Sequence, residues 1–309
     1  MRKSLTLAAA GLIVAAPAFA DYPDQPVEFI VPWPPGDLED VLTRLIADEF
    51  QSEHGVSAAV VNRPGGGGGP FPGAIDVATA PADGYTIGSF VTDVPVSGHE
   101  IGIPELEPEQ FDPIGIFLTY PFVIAAAGDA PYDTMEELAE YAQDNDLLLG
   151  HFGAVIPPTR VTMALAQSMG FDWGGDVAFD ALDCNTLASG DADVINTTLQ
   201  LILPCLDDVK VLASITEERI ALTPDTPTVA EIEPELEISL WNGLFVRKDT
   251  PQEVRDVIAA TAERVVTGER AQEIGAETGA LVYWQDAEAA AERIRRDQEA
   301  VARIEAMLD

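Results

Sequence analysis

Two segments of this chain hold residues suited to gripping a small solute. One is Trp33-Pro34-Pro35-Gly36-Asp37-Leu38-Glu39-Asp40; the other is Asn62-Arg63-Pro64 followed by five glycines, 65–69. Consecutive glycines let the backbone approach a ligand closely and turn several N–H donors toward it. Asp37, Glu39 and Asp40 stand where a helix is expected to begin, so they either cap that helix and complement its positive end or point into a ligand site. A third segment, His151-Phe152-Gly153-Ala154-Val155-Ile156, follows an apolar run and adds an imidazole and an aromatic wall. This set favours binding over bond-making. G-x-G-x-x-G fails, because its sixth position falls on Pro70, Phe71 or Pro72, and no G-x-x-x-x-G-K-[ST] is present. Hydrolase signatures G-x-S-x-G and H-E-x-x-H are also missing. The three histidines are far apart: His54 ends a helix as a solvated or capping residue, His99 sits in a polar loop, and His151 is read as a ligand contact. No enzyme activity and no cofactor are expected. Cys184 and Cys205 have no C-x-x-C partner and no histidine at ligand spacing, so no metal site is expected. The sequence leaves them either as a disulfide or as two buried thiols.

These segments need elements to position them, and strand and helix alternate along the chain. Strands are expected at 27–31, 58–61 and 85–90, with helices at 40–50 and 74–80. Val41, Leu42, Leu45, Ile46 and Phe50 fall on one face of the first helix. Such alternation with short loops predicts a parallel sheet covered on both faces. Ligands of such sheets sit beyond the carboxyl ends of the strands, where both loops fall. Residues 94–113, rich in Pro, Gly and Glu, read as surface loop, and the apolar run 114–127 crosses into a second alternating set. That set comprises helices at 134–144 and 158–169 and strands at 147–149, 177–179, 194–197 and 209–214. The run 240–246 carries the chain back, and 251–266 and 286–308 are helices. The expected α/β layout is a discontinuous lobe, 21–120 plus 241–309, and a continuous lobe, 121–240, with two crossings forming a hinge beside a cleft.

At 309 residues the chain can bury two cores. Its start reads as a signal peptide, residues 1–20: Arg2 and Lys3, an apolar run over 5–16, then Ala18-Phe19-Ala20 before Asp21. The run is shorter than the roughly 20 residues a membrane span takes. No later segment reaches that length, so a periplasmic protein without direct membrane insertion is expected. With 53 Asp and Glu against 16 Lys and Arg, the formal charge of −37 repels nucleic acid and anionic membranes and excludes both as partners. A hydrophobic content of 47% argues against disorder. The acidic shell reads as adaptation to salty surroundings, where screening shortens self-repulsion. A monomer is expected.

Across nearly the whole mature length, the chain resembles the substrate-binding receptors of tripartite tricarboxylate transporters, the Bug family. The likeness runs through Tyr22-Pro23-Asp24-Gln25-Pro26-Val27, Val31-Pro32-Trp33, Asn62-Arg63-Pro64-Gly65 and Asp83-Gly84-Tyr85-Thr86. It continues at Phe111-Asp112-Pro113-Ile114, Pro131-Tyr132-Asp133-Thr134 and Gly190-Asp191-Ala192-Asp193. Asp225-Thr226-Pro227-Thr228-Val229-Ala230-Glu231 and Trp241-Asn242-Gly243-Leu244-Phe245 complete it. The resemblance implies a periplasmic-binding-protein (Venus-flytrap) fold and delivery of a small organic solute to a two-component permease driven by an ion gradient. It also implies that first-lobe loops hold a ligand carboxylate through backbone amides and ordered water. On this chain that places Pro35, Gly36, Asp40, Gly65, Gly66, Gly67 and Gly68 at the site, facing 150–156 of the other lobe.

One departure bears on the ligand. Where the family usually reads P-G-G-G-T-D, this chain has Pro35-Gly36-Asp37-Leu38-Glu39-Asp40. Two like charges about 4 Å apart repel by about 4 kcal/mol at an effective dielectric near 20. The solute is therefore either the carboxylate the resemblance implies or an amine, a zwitterion, a neutral molecule or a cation-bridged anion. A sensory binding protein is the other functional reading. Trp33, Phe152, Phe71 and Trp241 serve as cleft walls or as core, and Arg63 and Arg160 as anion partners or as structural ion pairs.

Overall fold

In chain order the strands are β1 (Val27–Val31), β2 (Ala58–Asn62), β3 (Thr86–Val91), β4 (Phe111–Thr119), β5 (Phe122–Ala127), β6 (Leu148–His151), β7 (Gly175–Ala178), β8 (Val194–Thr198), β9 (Val209–Ser214), β10 (Trp241–Arg247) and β11 (Leu281–Asp286). The helices are α1 (Leu38–His54), α2 (Phe71–Thr79), α3 (Met135–Ala142), α4 (Pro157–Ser168), α5 (Cys184–Ser189), α6 (Leu199–Ile202), α7 (Val229–Ile232), α8 (Gln252–Val266), α9 (Glu269–Thr278) and α10 (Ala287–Leu308). This computed structural model describes residues 22–65, 69–107 and 110–308. The expected signal peptide and glycines 66–68 lie outside the described residues.

The strands form two sheets, ordered β11-β4-β10-β3-β1-β2 and β7-β6-β8-β5-β9. Neither is wholly parallel, which corrects the expectation from alternation alone. β1 runs parallel to β2 and β3, whereas β10 is antiparallel to β3 and β4. In the second sheet β6 is parallel to β7 and β8, and β5 is antiparallel to β8 and β9. β11 is also antiparallel to its neighbour β4, on the edge of the first sheet. β10 and β5 are the reversed strands that begin where the chain arrives from the other sheet. Coming from the far side, they enter at the end where the parallel strands finish. Both arrivals happen side by side: Tyr120-Pro121 joins β4 to β5, and the Tyr120 N–H donates to the Leu240 carbonyl at 2.8 Å, just before β10.

Core packing fixes the helices that carry the loops. Leu42, Ile46 and Phe50 of α1 are fully buried, so the apolar face read from the sequence is the one that packs. Gly55 stops this helix in the left-handed conformation, φ 70°. Trp241, Phe90, Phe117 and Phe245 fill the interior of the first sheet, which places Trp241 in the core and not in a wall. Phe71, 5% exposed, is likewise core. His54 packs its ring on Phe50, with centroids 4.5 Å apart. α10 lies on β4 and β11 and also against α4. Cys184 and Cys205 form a disulfide that ties α5 to the turn before β9.

Candidate functional site: a cavity between the two sheets

β1, β3, β6 and β8 point their carboxyl ends at one another, and a cavity of about 50 Å³ lies where they meet. From the first sheet come Trp33 after β1, Asp37, Leu38 and Glu39 at the start of α1, Thr92 and Asp93 after β3, and Tyr120 after β4. The opposite wall includes Phe122, Phe152, Ile156, Thr198 and Gln200. Two contacts close the gap: the Trp33 and Phe152 rings meet edge to face at 5.9 Å, and Gln200 Nε2 donates to the Gly36 carbonyl at 3.2 Å. Gly36 sits at φ +99°, a conformation that opens its carbonyl to that contact and that L side chains rarely adopt.

The three acids of the first loop separate into different roles. Asp37 occupies the cap position of α1, but its side chain makes no capping bond and lines the cavity. Asp40 is buried on the other side of the helix end, where it accepts from Gly36 N (2.9 Å), Arg44 Nη2 (2.8 Å) and Asn62 Nδ2 (2.8 Å). Burial alone would raise its pKa, but the bonds from Arg44, Asn62 and Gly36 outweigh that and hold its carboxyl below the ordinary value. Asn62 also donates to the Trp33 carbonyl at 3.0 Å, so Asp40 and Asn62 together fix the loop that presents Trp33. Asp40 thus supports the site from behind and is not among the lining residues.

Glu39 is 3% exposed and faces inward, accepting from the Tyr120 hydroxyl at 2.9 Å. Behind it runs a buried polar chain. Asn242 Oδ1 lies 3.3 Å from the Tyr120 oxygen, Asn242 Nδ2 donates to Ser89 Oγ at 2.7 Å, and Ser89 meets Thr43 Oγ1 at 2.8 Å. Strands β3, β4 and β10 and helix α1 therefore all fix where this carboxyl stands. Asp93 is 5% exposed, and its Oδ1 has no hydrogen-bond partner. It opens a π-helical turn, Asp93–Ser97, whose start is pinned because Thr92 Oγ1 accepts from Trp241 N at 2.7 Å. Burial raises Asp93 to about 7; burial and then Asp40 raise Asp37 to about 6; burial and then Asp37 raise Glu39 to about 8.

The remaining expected residues divide by position. Phe152 and Ile156 line the cavity. Gly153 is buried outside the lining, while Ala154 and Val155 are exposed on the rim, as is Pro35 on the facing loop. His151 does not reach the cleft: it is 1% exposed, with Nε2 2.8 Å from Asp176 Oδ1. Gly65 borders a neighbouring recess of about 120 Å³ that shares Trp33 as a wall. A Cβ there would lie 2.0 Å from the Gly69 carbonyl oxygen, so the close approach of these two backbones requires glycine at 65. Arg63 pairs with Asp76 and Arg160 with Glu305, which makes both structural ion pairs. Thr92, Asp93, Tyr120, Phe122, Thr198 and Gln200 were not foreseen from the sequence. Among the described residues no group of three His, Cys, Asp or Glu is arranged to hold a metal ion, and no helix is long and apolar enough to cross a membrane.

The tripartite tricarboxylate transporter family receptor (TctC) pattern matches residues 42–309. This chain belongs to that family. The Bordetella pertussis protein BugT is 27% identical over 256 residues, 78% of this chain and 76% of its own. The solved periplasmic binding protein BugD is 25% identical with a TM-score of 0.78, over 92% of this chain and 97% of BugD. MatC from Rhodopseudomonas palustris, solved with bound malate, gives a TM-score of 0.79 at 23% identity, over 93% of this chain and 100% of MatC. The receptor fold is that of the periplasmic binding proteins: two α/β lobes, here built on the two mixed sheets, with the cavity between them.

Proposed function

We propose that this receptor works in the periplasm as a monomer. Its two lobes, residues 21–120 with 241–309 and residues 121–240, close on a small organic solute and present it to a two-component, ion-gradient-driven membrane permease. The observation that carries this reading is the cavity between the sheets, walled from both sides and closed by the Trp33–Phe152 and Gln200–Gly36 contacts. Trp33, Asp37, Glu39, Phe152 and Ile156 contact the solute, while Pro35, Gly36 and Gly65 stand at its mouth. The malate held by MatC supports a small metabolite as occupant. The signal-like start of the sequence supports export, and the receptor role leaves catalysis to no residue of this chain.

A ligand that binds only the folded state raises stability by RT ln(1 + [L]/Kd), about 2.7 kcal/mol at a hundredfold excess over Kd. Thermal unfolding against a broad panel of organic acids, amino acids and amines should therefore reveal at least one stabilising compound. Uptake of that compound by cells should depend on this receptor and on the permease together. No stabilisation by any compound would defeat the proposal.

A further inference from the structure

Resting on the reading of this cleft as the solute site, we propose that its occupant is a compact organic cation: an ammonium group on a small apolar body. Asp37, Glu39 and Asp93 all face the cavity, and among the described residues no Lys, Arg or His lines it. The other titratable group on the wall is Tyr120, which donates to Glu39. Arg44, the cation on the same helix, is committed outside the cavity to Asp40 and Asn62. Asp93 Oδ1 is enclosed yet has nothing to bond to. Buried carboxyls without a counter-charge retain protons, and all three are shifted in that direction. An anion entering this space would add a further like charge, whereas an ammonium would replace the protons.

The remainder of the wall suits the same guest. Trp33, Tyr120, Phe122 and Phe152 present aromatic surface to the cavity, and such faces attract cations within about 6 Å. At about 50 Å³ the cavity takes about four waters, or one compact solute of similar bulk. The absence of any three-residue metal grouping among the described residues favours an organic charge over a bare metal ion.

Calorimetric titrations at pH 5.5 and 8.5 with tetramethylammonium, n-butylammonium, malate, adipate and calcium test this. An ammonium should bind at least tenfold tighter at the higher pH and release protons, detectable as a buffer-dependent heat. Glu39→Gln and Asp93→Asn should each weaken it at least tenfold, with circular dichroism confirming that the variants fold; the wild-type pH dependence serves if they do not. Mass spectrometry of the ligand freed by denaturing the purified protein provides a second readout, with an amine expected. Malate or adipate binding tighter at low pH, an anion that needs calcium, or a released non-cationic ligand would overturn the cation proposal and leave the receptor reading standing. No ligand by either method would sink both.

Discussion

Trp33 and Phe152 touch edge to face across the gap between the two sheets, each carried by a loop that follows a strand of its own lobe. A pair of this geometry contributes about 0.5–1.5 kcal/mol beyond the area it buries. Phe152→Ala is expected to weaken solute binding about 2- to 12-fold by that contact alone. Tryptophan emission should shift on ligand addition in the wild type and lose most of that shift in Trp33→Phe. A fluorescence titration of the three proteins reads both effects.

The three cavity acids make the empty receptor sensitive to alkali. Unfolded carboxyls titrate near 4. In the folded chain Asp37 is raised to about 6, Asp93 to about 7 and Glu39 to about 8, each chiefly by burial. Between these limits the folded state holds more protons than the unfolded one. This part of the stability is complete below about pH 4 and is lost as pH rises through the folded values, at up to about 1.4 kcal/mol per pH unit for each group. Glu39→Gln should flatten the fall in Tm between pH 5 and 8.5. Parallel profiles for variant and wild type would contradict it.

Asp40 acts in the opposite sense. Its carboxyl is held below the ordinary value, so its contribution is present above about pH 4 and disappears as the solution is acidified through the lowered pKa. Asp40→Ala strands the Gly36 N–H and the Asn62 amide and releases Arg44, at a cost of about 2–4 kcal/mol. For a chain of this length that lowers Tm by roughly 3–7 °C, measurable by calorimetry. Solute binding should weaken as well, since the Trp33 loop loses its anchor.

The Cys184–Cys205 bridge closes a loop with a sequence separation of 21. On the chain-entropy model it stabilises the fold by about 3 kcal/mol. Replacing both cysteines by serine should lower Tm by roughly 5 °C and leave ligand affinity close to that of the wild type, because neither residue lines the cavity.

What the sequence could convey about the site follows from side-chain direction. The helix at 40–50 was legible because its apolar spacing is periodic, and the observed α1 extends it to Leu38–His54. His151 and Phe152 were read together as ligand contacts, but successive residues at a strand end face opposite sides. Phe152 enters the cavity, and His151 turns away to Asp176. Glu39 and Asp40 separate by the same logic around a helix end. Asp93 is not legible from sequence because a single π-helical turn leaves no periodic mark in composition, and the start of that turn is fixed by Trp241, 149 positions from the neighbouring Thr92. Tyr120 and Phe122 fall in an apolar run that reads alike as core or as wall. The mixed sheets were hidden because strand direction depends on which side the chain arrives from, and alternation does not encode that.

The placement of α10 adds a constraint on how the cleft yields. This helix rests on β4 and β11 yet also reaches α4, where Glu305 grips Arg160. Any widening of the gap must slide α4 along α10 or part that couple. The helix therefore behaves as a latch beside the two crossings at Tyr120 and Leu240. Dissolved ions loosen a partly exposed couple of this kind. The salt concentration around the protein thus helps decide how readily the jaws come apart, independently of what they hold.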